Sequence, residues 1–372
     1  MASGSILCVV GARPNFMKIA PIMRAFRQAG VAAKLLHTGQ HYDEAMNHQF
    51  FQDLGIPEPD INLEVGSGSH AVQTAEVMRR FEPVLDQEQP AAILVVGDVN
   101  STIACALVAS KKGVPVIHVE AGLRSYDRAM PEEINRVLTD QISDLLYITE
   151  RAAQENLARE GIDAARVHFV GNVMIDTLHH NLAKAVAAAD TLRAHGVQHV
   201  GDYALLTMHR PSNVDEARPL QALLETVADI AKRIPVVFPL HPRTKSRIEQ
   251  FGLQALLQHN IHVLPPAGYL HILGLMRDAK FVLTDSGGIQ EETTALGVPC
   301  ITLRENTERP ITVDEGTNII VGQSREKIQA AVEDIFTTGG KTGRVPEYWD
   351  GHAAERIAAH LQTWLGRQAV TK

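Results

Sequence analysis

The stretch "LTDSGGIQEETTALGVP", residues 283–299, combines an apolar lead-in, a Ser-Gly-Gly turn and two glutamates inside a helical pattern. Ser286 suits the N-cap of a helix. The residue three further on is Ile289, so no reciprocal capping box forms. Gly287 and Gly288 would leave the first turn bare, and a phosphate can approach free backbone N–H groups there. Glu292 lies four residues after Gly288, one turn down on the same face, and its side chain leans back toward the helix start. Phosphate at the tip and a diol further along describe the pyrophosphate and ribose of a nucleotide.

Two other turns carry cations. "VVGARPNFMKIAP" ends a strand at Gly11 and places Arg13 and Lys18 near a helix start, which suits an anion. It is neither a GxGxxG fingerprint nor a Walker A loop. "TMHRPSNVDEARP" sets His209 and Arg210 just past a strand end, where the pair can bind phosphate or donate a proton. Taken alone, each turn serves equally as an ordinary strand–helix connection. In "VEAGLRSYDRAMPEEINRVLTDQISDLLY", Glu120 directly follows a buried-strand pattern, which a surface role does not explain. Glu132 and Glu133 stabilise a helix N-terminus in any protein, and Glu132–Arg136 has the spacing of an i,i+4 pair.

His37, His41 and His48 fall within "HTGQHYDEAMNH", but neither HExxH nor CxxC accompanies them, so no metal is expected. Cys8, Cys105 and Cys300 sit far apart in apolar stretches and read as buried thiols in a reducing cytoplasm.

The elements that position these residues alternate along the chain. Strand patterns at "ILCVV", "AAKLLH", "AAILVVGD" and "PVIHVEAG" interleave with helices predicted near 17–29 and 101–112. After residue 200 the alternation restarts with "DYALLTM", "PVVFPLH", "IHVLP", "KFVLTD" and "PCITLR", and helices near 217–233, 244–258 and 287–296. Short strands alternating with helices predict parallel sheets covered on both faces. The fold class is α/β, with two Rossmann-like doubly wound domains.

Residues 92–122 and 280–305 share one order: apolar strand, Asp, small or polar cap, helix, Gly-Val-Pro, strand, Glu. This predicts one structural unit used once in each half. Asp98, Glu120, Asp285 and Glu305 then fall at carboxyl ends of strands, where ligands bind in open α/β sheets. Two sheets facing across a cleft would enclose one ligand. The predicted division is an N-terminal domain at 1–171, a C-terminal nucleotide-binding domain at 172–362 and a tail at 363–372. The hinge is placed near 171–200. A C-terminal helix near 351–367 is expected, its end packing back on the first domain.

The 372 residues exceed what one core usually organises, in keeping with two domains. A hydrophobic content of 45% with 21% charged residues is that of a globular protein. A net charge of −8 with interspersed signs argues against a nucleic-acid partner. No run reaches the roughly 18 apolar residues of a membrane span, and the first residues read as a strand, not a leader.

Together, "GARPNFMKIAP", "TGQHYD", "GDVNST", "HVEAGLRS…MPEEINR", "GNVMIDTL", "MHRPSN", "HPR", "TDSGGIQEET…GVP" and "RENTERPITVDEGTN" resemble the non-hydrolysing UDP-N-acetylglucosamine 2-epimerases, over about residues 5–362. The resemblance implies a GT-B-like domain pair, a homodimer, and interconversion of UDP-GlcNAc and UDP-ManNAc without a cofactor. It implies Asp98, Glu120 and Glu132 as catalytic carboxylates and His209 as a diphosphate contact with a catalytic part. Arg13, Lys18, Arg210, His241 and Arg309 become substrate-binding residues, Arg309 as a cleft cation. Ser286, Gly287 and Gly288 resemble the diphosphate turn, and Glu292 the ribose anchor. Two departures stand out. Many members carry Glu where this chain has Asn15. The activator site of some members uses a "GQH" glutamine and a downstream arginine; here Gln40 is present but "EVGSGSHAVQT" has no arginine, so weak or altered activation is expected.

Overall fold

The computed structural model describes residues 4–39, 55–56, 58–198 and 201–371, with the side chains of 13 and 368–371 outside the description. His41, His48 and Gln40 therefore lie outside the described residues.

Short apolar runs become strands because parallel sheets bury both faces. The first sheet contains β1 (Ile6–Val10), β2 (Ala33–His37), β3 (Ile61–Asn62), β4 (Ala92–Val96), β5 (Val116–Ala121), β6 (Leu145–Ile148) and β7 (Val167–Phe169). Its order is β3-β2-β1-β4-β5-β6-β7, parallel throughout. The second contains β8 (Ala204–Thr207), β9 (Val236–Pro239), β10 (Ile261–Leu264), β11 (Phe281–Thr284), β12 (Cys300–Thr302) and β13 (Asn318–Ile320), ordered β10-β9-β8-β11-β12-β13 and also parallel. Both follow the 3-2-1-4-5-6 order of doubly wound folds. The order reverses between β1 and β4 in one sheet and between β8 and β11 in the other. Ligands bind beyond the strand ends at such switch points. The two related sequence stretches occupy matching places, β4–helix–β5 and β11–helix–β12.

The chain divides into Met1–His180 with Glu347–Lys372, and Asn181–Pro346. This corrects the expected boundaries of 172 and 362. The first boundary falls within the predicted 171–200, but inside the helix Val173–Leu182. The second lies earlier because the whole C-terminal helix Ala353–Thr371, not only its end, belongs to the first unit. It packs along the helix Arg13–Ala29. Buried Asp176 caps it, accepting from the N–H groups of Ala353 at 3.1 Å and Ala354 at 2.7 Å. Buried Trp349 donates its indole N–H to the Thr149 carbonyl at 3.2 Å. These partners lie about 180–200 residues away in sequence.

Candidate active site

In the first unit, the switch point is fastened by the residue that departs from the family pattern. Asn15 is 2% exposed. Its Oδ1 accepts from the N–H groups of Gly11 at 3.1 Å and Ala12 at 2.9 Å, and its Nδ2 donates to the Val96 carbonyl at 3.0 Å. It thus ties the turn after β1 to the end of β4. A glutamate has no donor for Val96, so the amide does here what a carboxylate cannot. Arg13 opens the helix Arg13–Ala29 at this turn.

Glu120 stands at the end of β5 with φ +72°, at a register irregularity between Val119 and Ala121. A left-handed non-glycine residue at a bulge is a strained position that re-aims a side chain. Its carboxylate, 5% exposed, forms a buried ion pair with Lys18, also 5% exposed. Gly97 has φ +67°, and a Cβ there would meet Lys18 Nζ at 2.9 Å. Asp98 follows directly. Its Oδ2 lies 2.9 Å from Arg136 Nε and 2.8 Å from Arg136 Nη2, while its side chain stays about a quarter exposed.

In sequence, Arg136 shows no part in the site, only the i,i+4 spacing to Glu132. Arg136 pairs with Glu133, three residues back, rather than with Glu132. Glu133 is buried and also accepts from Ser125 N–H at 3.0 Å and Tyr126 N–H at 2.8 Å. Adjacent helical residues point about 100° apart, so only one of two neighbouring glutamates can face this loop. Glu132, half-buried in the first helical turn, is left outside that structural pairing.

His118 is a second residue without a sequence signal. Fully buried, it donates through Nε2 to the Gly97 carbonyl at 2.8 Å, and its Nδ1 lies 2.7 Å from Asp140 Oδ1. Asp140 Oδ2 accepts from Gly122 N–H at 3.0 Å and Arg124 Nη2 at 2.7 Å. Burial pushes the Asp140 carboxyl up, but His118 and Arg124 outweigh it and hold the group below its ordinary value. The network braces the Gly97–Asp98 turn against the β5 bulge.

In the second unit, Asp285 organises the switch point. It is fully buried and accepts from the N–H groups of His209 at 3.0 Å and Arg210 at 2.8 Å, and from Asn213 Nδ2 at 3.1 Å. His209 Nδ1 lies 3.1 Å from Asp285 Oδ1. Burial opposes ionisation of Asp285, yet these donors, His209 foremost, hold its carboxyl below the ordinary range. The ring of His241 stands 5.3 Å from that of His209. His241 caps the helix Pro242–Gln250, its Nδ1 accepting from Arg243 N–H at 3.2 Å.

The helix Gly287–Leu296 has Ser286 at its N-cap position, as predicted, but no side chain caps it. The need for glycine at 287 differs from the one anticipated. A Cβ there would fall 2.7 Å from Arg309 Nη1 and 2.8 Å from Glu308 Oε1, so Gly287 makes room for that pair. Gly288 is half-buried on the same turn. Arg309 is therefore not an open cleft cation. It is 7% exposed, with its Nε 2.9 Å from Glu291 and its Nη1 2.5 Å from Glu308. It sits beside the helix start with its charge already shared between two carboxylates. Arg210, a quarter exposed, lies 3.8 Å from Glu308.

Glu292 is 4% exposed. Its Oε1 accepts from the Tyr269 hydroxyl at 2.9 Å. Burial raises its carboxyl to about 7, with Glu291 adding and Tyr269 opposing. Among the described residues, Oε2 accepts no hydrogen bond. Also among the described residues, no group of three or more His, Cys, Asp or Glu is placed to hold a metal ion, and no helix is long and apolar enough to cross a membrane.

Two doubly wound sheets, one ending in an uncapped helix start with a buried carboxylate and the other in ion-paired carboxylates, define an α/β protein of the nucleotide-binding class. The family model for UDP-N-acetylglucosamine 2-epimerase matches residues 24–362, and the chain belongs to that family. It is 44% identical to the UDP-N-acetylglucosamine 2-epimerase of Methanocaldococcus jannaschii over 359 residues, 95% of this chain and 97% of that protein. It is 41% identical over 364 residues to the UDP-2,3-diacetamido-2,3-dideoxy-D-glucuronate 2-epimerase of Pseudomonas aeruginosa, covering 96% and 99%. The fold is similar to the crystal structure of the M. jannaschii UDP-GlcNAc 2-epimerase in complex with UDP-GlcNAc and UDP. That match has a TM-score of 0.89 at 42% identity and covers 96% of this chain and 99% of that one.

Proposed function

We propose that the protein interconverts UDP-GlcNAc and UDP-ManNAc by eliminating UDP to a 2-acetamidoglucal and adding it back. The C2 proton of the sugar is not acidic in the resting substrate. Departure of UDP from C1 builds positive charge there and makes the C2 proton removable. Proton return on the opposite face, followed by re-addition, inverts C2. The exchange is redox-neutral overall and calls for no hydride carrier.

Each switch point supplies one part. The uncapped start of Gly287–Leu296, with Ser286, Gly287, Gly288, His209, Arg210 and His241 around it, receives the diphosphate and steadies it as it leaves. Glu292 accepts from the ribose hydroxyls, and Arg309 fixes the turn. Asp98, Glu120 and Glu132 move protons at C2, with Arg13 and Lys18 as substrate-binding cations. A reaction that takes a proton from one face and returns it on the other needs more than one such group. The observation that carries this reading is Glu292: a buried carboxylate with an oxygen accepting no described hydrogen bond, one turn from an uncapped helix start.

The protein works as a cytoplasmic homodimer in supplying precursors for surface polysaccharide. Incubation with UDP-GlcNAc alone tests the reaction. A persistent mixture with UDP-ManNAc is expected. Stoichiometric release of UDP and free ManNAc would make the enzyme hydrolytic, and absence of turnover without an acceptor would favour a glycosyltransferase. The P. aeruginosa relative is named for a diacetamido uronate, so that nucleotide sugar belongs in the same assay. Light scattering checks the dimer.

A further inference from the structure

Glu292 is held by a residue from another helix. Tyr269 is the first residue of the helix Tyr269–Arg277, after Gly268 at the N-cap, and that helix packs against Gly287–Leu296. The phenol is 8% exposed and donates to Glu292 Oε1 at 2.9 Å. The geometry points to Tyr269 as a positioning residue for ribose recognition: by occupying Oε1 it fixes the Glu292 carboxylate and presents Oε2 to the vicinal hydroxyls of a ribonucleoside diphosphate. This rests on the nucleotide reading of Glu292 given above.

Three observations converge on it. The carboxylate is buried, so an unfixed rotamer would lose solvation without gaining a directed contact. Its second oxygen accepts no hydrogen bond among the described residues. The neighbouring Glu291 is engaged by Arg309, its Oε1 2.9 Å from Arg309 Nε, whereas the partner of Glu292 is the Tyr269 hydroxyl. Burial, followed by the Glu292 charge, raises the phenol above its ordinary value, so Tyr269 remains a donor throughout the range in which enzymes work. The phenol thereby selects for a ligand that donates to Oε2, and a sugar lacking one of the two hydroxyls forfeits part of that contact.

The test is calorimetric titration of the full-length protein with UDP and with 2′-deoxy-UDP. Wild type is expected to prefer UDP by about tenfold or more, and Tyr269→Phe to cut that preference by about fivefold. Phenylalanine keeps the ring and removes only the donor. Glu292→Gln should lower the preference as well, and adding Tyr269→Phe to it should lower it little further, because the two act as one unit. Wild type binding both nucleotides equally would overturn the ribose reading itself. Wild type discriminating normally while Tyr269→Phe retains the full ratio would overturn the role of Tyr269. Equal loss of affinity for both nucleotides in Tyr269→Phe would also overturn it, because a packing defect alone gives that pattern.

Discussion

Glu292→Gln separates the cost of a buried charge from its use. Burial, reinforced by Glu291, holds the carboxyl at about 7 against an ordinary 4.5, even with the Tyr269 bond opposing. A carboxyl raised on folding contributes stability that is complete below its unfolded value and is lost as pH rises through its folded value. Between 4.5 and about 7 the loss is about 3 kcal/mol. Glutamine has nearly the same shape, stays neutral and keeps an acceptor for Tyr269. Its new N–H group meets no described acceptor, a penalty of about 1 kcal/mol. The variant should therefore gain about 2 kcal/mol at pH 8 and change little at pH 5, where the wild type has already lost about 1 kcal/mol of this stability and the two effects cancel. For a unit of this size that is a rise of about 4–8 °C at pH 8 and almost no shift at pH 5. Scanning calorimetry of the ligand-free protein from pH 5 to pH 8 reads the difference. UDP affinity should fall in the same variant, since a functional carboxylate is kept at a cost to stability. A midpoint change of one sign and one size at every pH would mean that burial of the Glu292 charge does not limit stability.

Further substitutions probe the two switch points. Asn15→Ala removes three hydrogen bonds and should lower the unfolding free energy of the first unit by about 1–3 kcal/mol, read by urea denaturation. Gly287→Ala should weaken UDP binding, read by calorimetry, because its Cβ collides with Arg309 and Glu308; Arg309 can move only by leaving Glu291. Asp98→Asn should reduce kcat by about 10²–10⁴ while UDP binding, proposed for the other switch point, stays near wild type; unchanged product formation would remove Asp98 from the catalytic set.

Local pattern exposed much of this arrangement. The Gly287–Leu296 helix, its Ser286 cap position and its counterpart after Asp98 were legible because strand, cap and helix signals are contiguous in sequence. The partners that give those positions their meaning are not contiguous. Gly287 is dictated by Glu308 and Arg309, more than 20 residues downstream. Asn15 acts on a carbonyl 81 residues away, and Tyr269 reaches Glu292 from a different helix. Of Glu132 and Glu133, sequence offers two equivalent acids; the direction of the loop at Ser125 and Tyr126 decides which is buried. The domain boundary was misplaced for the same reason: Trp349 and the helix after it are held by Thr149, Asp176 and the helix Arg13–Ala29, and no local signal at residue 347 announces that.

The proposed reaction exchanges the C2 proton during reversible loss of UDP. Proton NMR of UDP-GlcNAc incubated with the protein in deuterated water tests it most directly. Solvent deuterium is expected at C2 of the recovered UDP-GlcNAc and UDP-ManNAc. Epimer formation over many turnovers with the original hydrogen retained at C2 would contradict it.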